Sequence, residues 1–153
     1  MDTLDLRFER KTDLPIQHLW KGWTDPEMLK KWFCPRPWRV TECRIDLKAG
    51  GEFFTVMEGP QGEKMHNAGC YLEVIEHKKL VWTNLCTKGF RPVDQNPMGF
   101  AMVACIEFEK SGGQTFYTAT VMHTNEASRR QHEQMGFQEG WGLAFNQLVE
   151  LFG

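Results

Sequence analysis

The sequence predicts an α+β domain in which a strongly curved antiparallel sheet of about seven strands wraps around a long C-terminal helix, with two short helices after strand 1. Three observations predict it. Apolar residues recur with a period of two over residues 4–10 and again from Trp38 to His123, the mark of half-buried strands. They recur at helical spacing only over residues 16–33 and beyond Glu126. The 153 residues suffice for one domain, 1–153, but not for two independent cores.

In order, Leu4, Leu6 and Phe8 form one face of the first strand and Asp5, Arg7 and Glu9 the other. Asp13 then precedes Leu14-Pro15, a helix start with Pro at the first helical position. Ile16, Leu19, Trp20 and Trp23 follow at i, i+3, i+4 and i+7. Thr24-Asp25-Pro26 caps a second helix carrying Met28, Leu29, Trp32 and Phe33, which Cys34-Pro35-Arg36-Pro37 ends. Strands follow over 40–47, 52–58, 65–75 and 80–85, with a turn or bulge at Ala49-Gly50-Gly51 and a tight turn over 59–62. Residues 86–99 are too irregular for an element and long enough for a functional loop. Strands over 100–109 and 115–123 form a hairpin through Ser111-Gly112-Gly113. Thr124 or Asn125 caps a helix through Gln134, Gly136 breaks or kinks it, and Phe137, Trp141, Ala144, Phe145, Leu148 and Phe152 mark one face beyond. Gly136, Gly140 and Gly142 are weak helix formers, which implies close approach to another element or to a ligand.

Composition excludes several function classes. Eighteen Lys and Arg against twenty Asp and Glu give a formal charge of −2, so no broad basic face is available for nucleic acid. The first seven residues are charged and carry no apolar run like that of a signal peptide, and no stretch reaches the ~18 apolar residues of a membrane span. Five scattered cysteines without a C-x-x-C read as reduced thiols of a cytoplasmic protein. His123 and His132, nine apart, suit no metal pair, and no phosphate-cradling glycine motif is present. The expectation is no metal, no cofactor, no nucleic acid and no membrane; a homodimer is left open.

Four stretches carry a family resemblance. Leu19-Trp20-Lys21-Gly22-Trp23-Thr24-Asp25-Pro26 with Leu29 and Trp32 resembles the W-x-A-W/F-T-D-P-x-x-L-x-x-W signature of the SRPBCC (START-like, helix-grip) superfamily. More narrowly it is similar to its branch of activator of heat-shock-protein-90 ATPase homologues, also labelled polyketide-cyclase-like. Asp46 to Phe53, Gly69 to Val74 with Leu80-Val81-Trp82-Thr83, and Met135 to Trp141 with Leu148 resemble further stretches of that branch in the right order. Lys48 and Gly22 depart from its usual Arg and Ala. The resemblance implies a helix-grip fold whose relatives bind lipids, sterols or polyketides, cyclise or dehydrate them, or dock on a chaperone.

The eleven Phe, six Trp and eight Met are the feature to explain. They fall on the two short helices, the inner strand faces and one face of the last helix, the three surfaces that would bound a cavity; a packed core is the other reading. Candidate ligand-binding residues are Trp32, Phe53, Met57, His66, Trp82, Phe137, Trp141 and Phe145, with Trp38 as a further wall and the 86–99 loop as the way in. Phe53 and Met57 share the strand face expected to look at the helix. Met65, Met98, Met102 and Met122 are adaptable walls or gap-fillers. Arg36, Arg39, Lys88 and Arg91 are candidates to ring the open end. Arg129, Arg130 and His132 read as a solvated face or a patch for an acidic partner, and Glu107 as outward-facing.

The function expected is binding of a small hydrophobic or aromatic molecule. The rivals are a cyclase or dehydratase with His66 or His123 as acid–base group, and a chaperone-activating module that works by surface contact. Whether the protein is an enzyme stays open, with a binder favoured and no catalytic residue assigned. The enzyme reading requires His66 or His123 to point into the cavity beside a second polar group.

Overall fold

The computed structural model describes residues 4–153; the first three, part of the charged N-terminal stretch read above, lie outside the described residues. Strand β1 (Asp5–Thr12) leads into helix α1 (Ile16–Thr24) and a single turn of helix, α2 (Pro26–Leu29). Strands β2 (Arg39–Ile45), β3 (Phe53–Glu58), β4 (Lys64–Asn67), β5 (Cys70–Ile75) and β6 (Lys79–Thr83) follow. A miniature hairpin, β7 (Cys86–Thr87) and β8 (Arg91–Pro92), precedes the long strands β9 (Met102–Ser111) and β10 (Gln114–His123). Helices α3 (Glu126–Gln134) and α4 (Phe137–Phe152) close the chain.

All strand pairs are antiparallel. One sheet has the order β1-β10-β9-β6-β5 and a second the order β2-β3-β4. The two join where Phe53 donates its backbone N–H to the carbonyl of Gly69 (3.0 Å) and Tyr71 donates to that of Gly51 (3.0 Å). The sequence predicts one strand over 65–75, and the structure breaks it at Ala68-Gly69. A Cβ on Gly69 would lie 2.8 Å from the Thr83 carbonyl oxygen and 2.9 Å from that of Phe53, so the chain can pass between the sheets only as glycine.

Three local expectations are corrected. Pro15 is not the first helical residue but the extended N-cap of α1, and the Asp13 carboxylate before it accepts from Gln114 Nε2 at 3.0 Å. The second helix stops at Leu29, so Trp32 and Phe33 sit in turns beyond it. The 86–99 loop contains the β7–β8 hairpin around a short 3-10 turn. The hairpin over Gly112-Gly113 forms as read, both residues with positive φ, and Asn125 caps α3 by accepting from the Ser128 N–H. Gly136, at φ +88°, breaks α3 from α4.

Helix α4 packs on the inner sheet face through Phe145, whose ring lies 4.7 Å from Tyr117 and 5.9 Å from Phe8. Leu148 is fully buried and meets α1 at Gly22, where a Cβ would collide with it. At the neighbouring position of the helix, buried Gln147 donates from Nε2 to the carbonyls of Trp32 (3.1 Å) and Cys34 (2.9 Å) and accepts the Arg36 N–H (3.0 Å). That amide ties α4 to the segment between α2 and β2.

Replacing Gln147 by Met keeps the volume but strands three backbone groups. At about 1 kcal/mol or more for each, Gln147→Met is expected to lose about 3 kcal/mol, read as a melting temperature lower by roughly 6–12 °C. Glu150→Gln removes only the exposed Arg36–Glu150 pair at 3.2 Å and serves as the surface comparison, expected within about 0.5 kcal/mol.

Candidate functional site: an apolar cavity under the C-terminal helix

Between α4 and the sheets lies a cavity of about 510 Å³, within the ~300–1,000 Å³ range of small-molecule sites. Its roof is one stripe of α4: Phe137, Gly140, Trp141, Ala144 and Phe145. Spacings of three and four residues put these on one helical face. Trp23, Trp32 and Phe33 wall it from the α1–α2 side; Phe53, Thr55 and Met57 from β3; Trp82 and Thr83 from β6. The rings support each other, with Phe53 and Trp82 centred 5.1 Å apart and edge-to-face, and Trp23 and Trp32 likewise at 4.9 Å.

Of the eight predicted residues, the structure brings Trp32, Phe53, Met57, Trp82, Phe137, Trp141 and Phe145 together on this wall. His66 is the exception: it is exposed and packs beside Phe54 on the outer face, 6.4 Å between ring centres. The strand break at Ala68-Gly69 shifts the alternation, so Met65 and Asn67 look inward instead. Trp38, Met65, Met98 and Met102 also line the cavity, whereas Met122 is 40% exposed. Of the four cations expected at the mouth, Arg36 lines it; Arg39 pairs with Glu58 at 3.6 Å, and Lys88 and Arg91 lie exposed on the small hairpin. Val93, Gln95, Asn96, Pro97 and Met98 bring the 86–99 loop to the rim. Asn96 fixes it there by donating to the Phe100 carbonyl at 2.8 Å. Glu107 is exposed.

The glycines divide by role. Gly142 faces Phe8 and Arg10 of β1 at close range, whereas a Cβ on Gly140 would meet nothing within 4 Å. Gly140 therefore borders open cavity.

Polar groups are interspersed among the apolar walls. Tyr117 OH accepts from Trp23 Nε1 at 3.0 Å, and burial raises its pKa, so it stays a neutral phenol. Burial also pushes the Cys34 thiol up to about 11, and all five thiols are free. Asn67 donates to Thr55 Oγ1 at 3.4 Å on the β3–β4 wall. The indole N–H of Trp82 meets no acceptor among the described residues. Among the described residues no group of three His, Cys, Asp or Glu is placed to hold a metal ion.

His132 also lines the cavity, which corrects the expectation of a solvated face. It is 5% exposed, the one buried residue of α3, and part of the cavity wall. Its Nδ1 lies 2.9 Å from His123 Nε2, and His123 Nδ1 lies 2.9 Å from the Leu4 carbonyl oxygen. Phe100 and Phe137 pack against its ring at 4.9 and 5.1 Å. Arg129 and Arg130 pair within the helix with Glu133 and Glu126. The partnership was hidden because the two histidines lie on different elements, across the turn from β10 to α3.

A family model described as "Activator of Hsp90 ATPase homolog 1-like protein" matches residues 13–153. No curated protein matches the chain. Among solved structures, a protein of Nitrosomonas europaea is 46% identical, with 99% of this chain and 96% of that one covered and a TM-score of 0.93. A protein of Mycobacterium smegmatis is 26% identical over 99% and 92%, with a TM-score of 0.81. An AHSA1-like protein of Aeromonas hydrophila, 19% identical over 95% and 91% with a TM-score of 0.69, shares the fold.

Burial and the neighbouring His123 lower the pKa of His132 from 6.5 to about 4. The unfolded chain takes up this proton as pH falls below 6.5, while the folded chain resists until about 4. Stability is therefore complete above pH 6.5 and falls as pH drops toward 4, by up to about 3 kcal/mol from this group. Urea unfolding of wild type and His132→Asn at intervals from pH 7.5 to 4 should show the shallower pH slope in the variant.

Proposed function

The chain belongs to the Activator of Hsp90 ATPase homolog 1-like family, and on that premise we propose that it binds a small hydrophobic or aromatic molecule in the cavity beneath α4. The observation that carries this reading is an unfilled space of about 510 Å³ walled by five tryptophans and by phenylalanine and methionine side chains. Flat rings at the walls suit stacking and edge contacts with a flat ligand, and thioethers repack around differing shapes at low cost. Arg36 and the 93–98 segment form the rim through which such a molecule enters. A chaperone-docking module works through its outer surface and needs no such space, so the cavity favours the binder.

A panel of small aromatics (indole, 2-naphthol, 2-methylnaphthalene) is expected to raise the melting temperature by about 5–10 °C at a hundredfold excess over Kd. Gly140 gives the internal check. Gly140→Ala should keep the ligand response and gain up to about 1 kcal/mol from helix propensity, whereas Gly140→Phe should fill the cavity and abolish the response. No shift with any compound, or an undiminished shift in Gly140→Phe, would remove this reading.

A further inference from the structure

The two buried histidines fix each other's protons. A carbonyl oxygen can only accept, so the 2.9 Å contact from His123 Nδ1 to Leu4 makes that nitrogen the N–H of His123. Neutral His123 then has a bare Nε2, which can only accept. The 2.9 Å contact between that Nε2 and His132 Nδ1 therefore places the His132 proton on Nδ1. What remains is His132 Nε2, an unprotonated imidazole nitrogen on a ring that lines the cavity, with no protein partner among the described residues. The helix that carries it is otherwise polar, and the surrounding rings of Phe100 and Phe137 offer no competing donor.

The geometry points to His132 Nε2 as a hydrogen-bond acceptor for ligand hydroxyl: the cavity takes aromatic molecules bearing a phenolic or similar O–H, which donates to this nitrogen. This rests on the cavity-binding reading and names its ligand class. His123 is a positioning residue. It touches no ligand, and it acts by holding the His132 proton away from the cavity. Tyr117, whose hydroxyl accepts from Trp23, also lines the space.

The test compares 2-naphthol with 2-methylnaphthalene, which has the same shape with a methyl in place of the hydroxyl. Binding to wild type, His132→Asn and His123→Asn is followed by tryptophan fluorescence at pH 7.5. In His132→Asn the side-chain amide can still donate to His123 from the Nδ position but lacks the Nε2 lone pair. The preference for 2-naphthol over its methyl analogue should fall about tenfold from wild type to this variant, the worth of one hydrogen bond. In His123→Asn the donation to Leu4 can persist but the acceptor for His132 is gone. There the preference should also fall, and the nitrogen-15 resonances of His132 should show its proton redistributed toward Nε2. Wild type itself should show His132 protonated on Nδ1 and bare on Nε2, a readout that needs neither a variant nor a ligand. Equal losses for both compounds, or a wild-type proton on Nε2, would overturn the hydroxyl assignment while leaving the cavity reading intact. Failure of both compounds to bind wild type would overturn the two together.

Discussion

The side-chain amide of Gln147 is the constraint on which the architecture of the site depends. Helix α4 must cross the sheet, yet stay far enough from it to leave a space in the middle. Packing of Phe145 and Leu148 pulls the C-terminal half of the helix down onto Tyr117, Phe8 and α1. Gln147 then bonds three backbone groups between Trp32 and Arg36. That segment has no regular ladder of its own, so the amide replaces one, and it sets Trp32 and Arg36 on the cavity wall. Trp32 is fixed from the other side by donation from Nε1 to the Gly22 carbonyl at 2.9 Å. The Phe137 end is anchored differently, on His132. Between the two anchors lie Gly140 and Trp141, free of the sheet.

An apolar space of this size has an energetic consequence. Cavities opened inside well-packed cores cost about 24 cal/mol per Å³. For about 510 Å³ a sealed, empty void would cost on the order of 10 kcal/mol, comparable to the whole stability of a domain. The space must therefore communicate with solvent or hold a guest. The rim formed by the 93–98 segment, held by Asn96 and by Asn84, whose Nδ2 donates to the Phe100 carbonyl at 3.1 Å, gives it a mouth. A guest that displaces poorly bonded water from between Trp32, Phe53, Trp82 and Trp141 gains apolar burial on nearly every side.

Most of the frame was legible in the sequence because it rests on periodicity within single elements. Phe137, Trp141 and Phe145 lie on one face by helical spacing alone, and Phe53 and Met57 by strand alternation. Their common destination followed from the order of the elements. What could not be read depends on interruptions and on partners distant in sequence. One glycine passage at Gly69 shifts a strand's phase and turns His66 outward while Met65 and Asn67 turn in. Counting by twos carries no mark of where the count restarts. Gln147 sits inside an apolar helix face, a buried amide whose partners lie more than 110 residues away. Its position between Phe145 and Leu148 was the available signal. His132 among Arg, Gln and Glu looks like any solvated residue until β10 brings His123 beside it.

Helix α3 therefore has an unusual attachment. It carries the exposed Arg130–Glu126 pair and the Arg129–Glu133 pair, whose arginine side chain is only 19% exposed, and such pairs within one helix contribute only tenths of a kcal/mol. His132 is its one fully buried residue and Arg129 is half-buried beside it, so the imidazole is a principal contact that docks the helix on β10 and α4. That imidazole works only in its neutral form with its proton toward His123, and this form also turns a bare nitrogen to the cavity. Docking of α3 and the chemistry of the cavity wall are thus set by one proton position. By linkage, a guest that uses this nitrogen strengthens the seating of the helix by as much as the seating favours the guest.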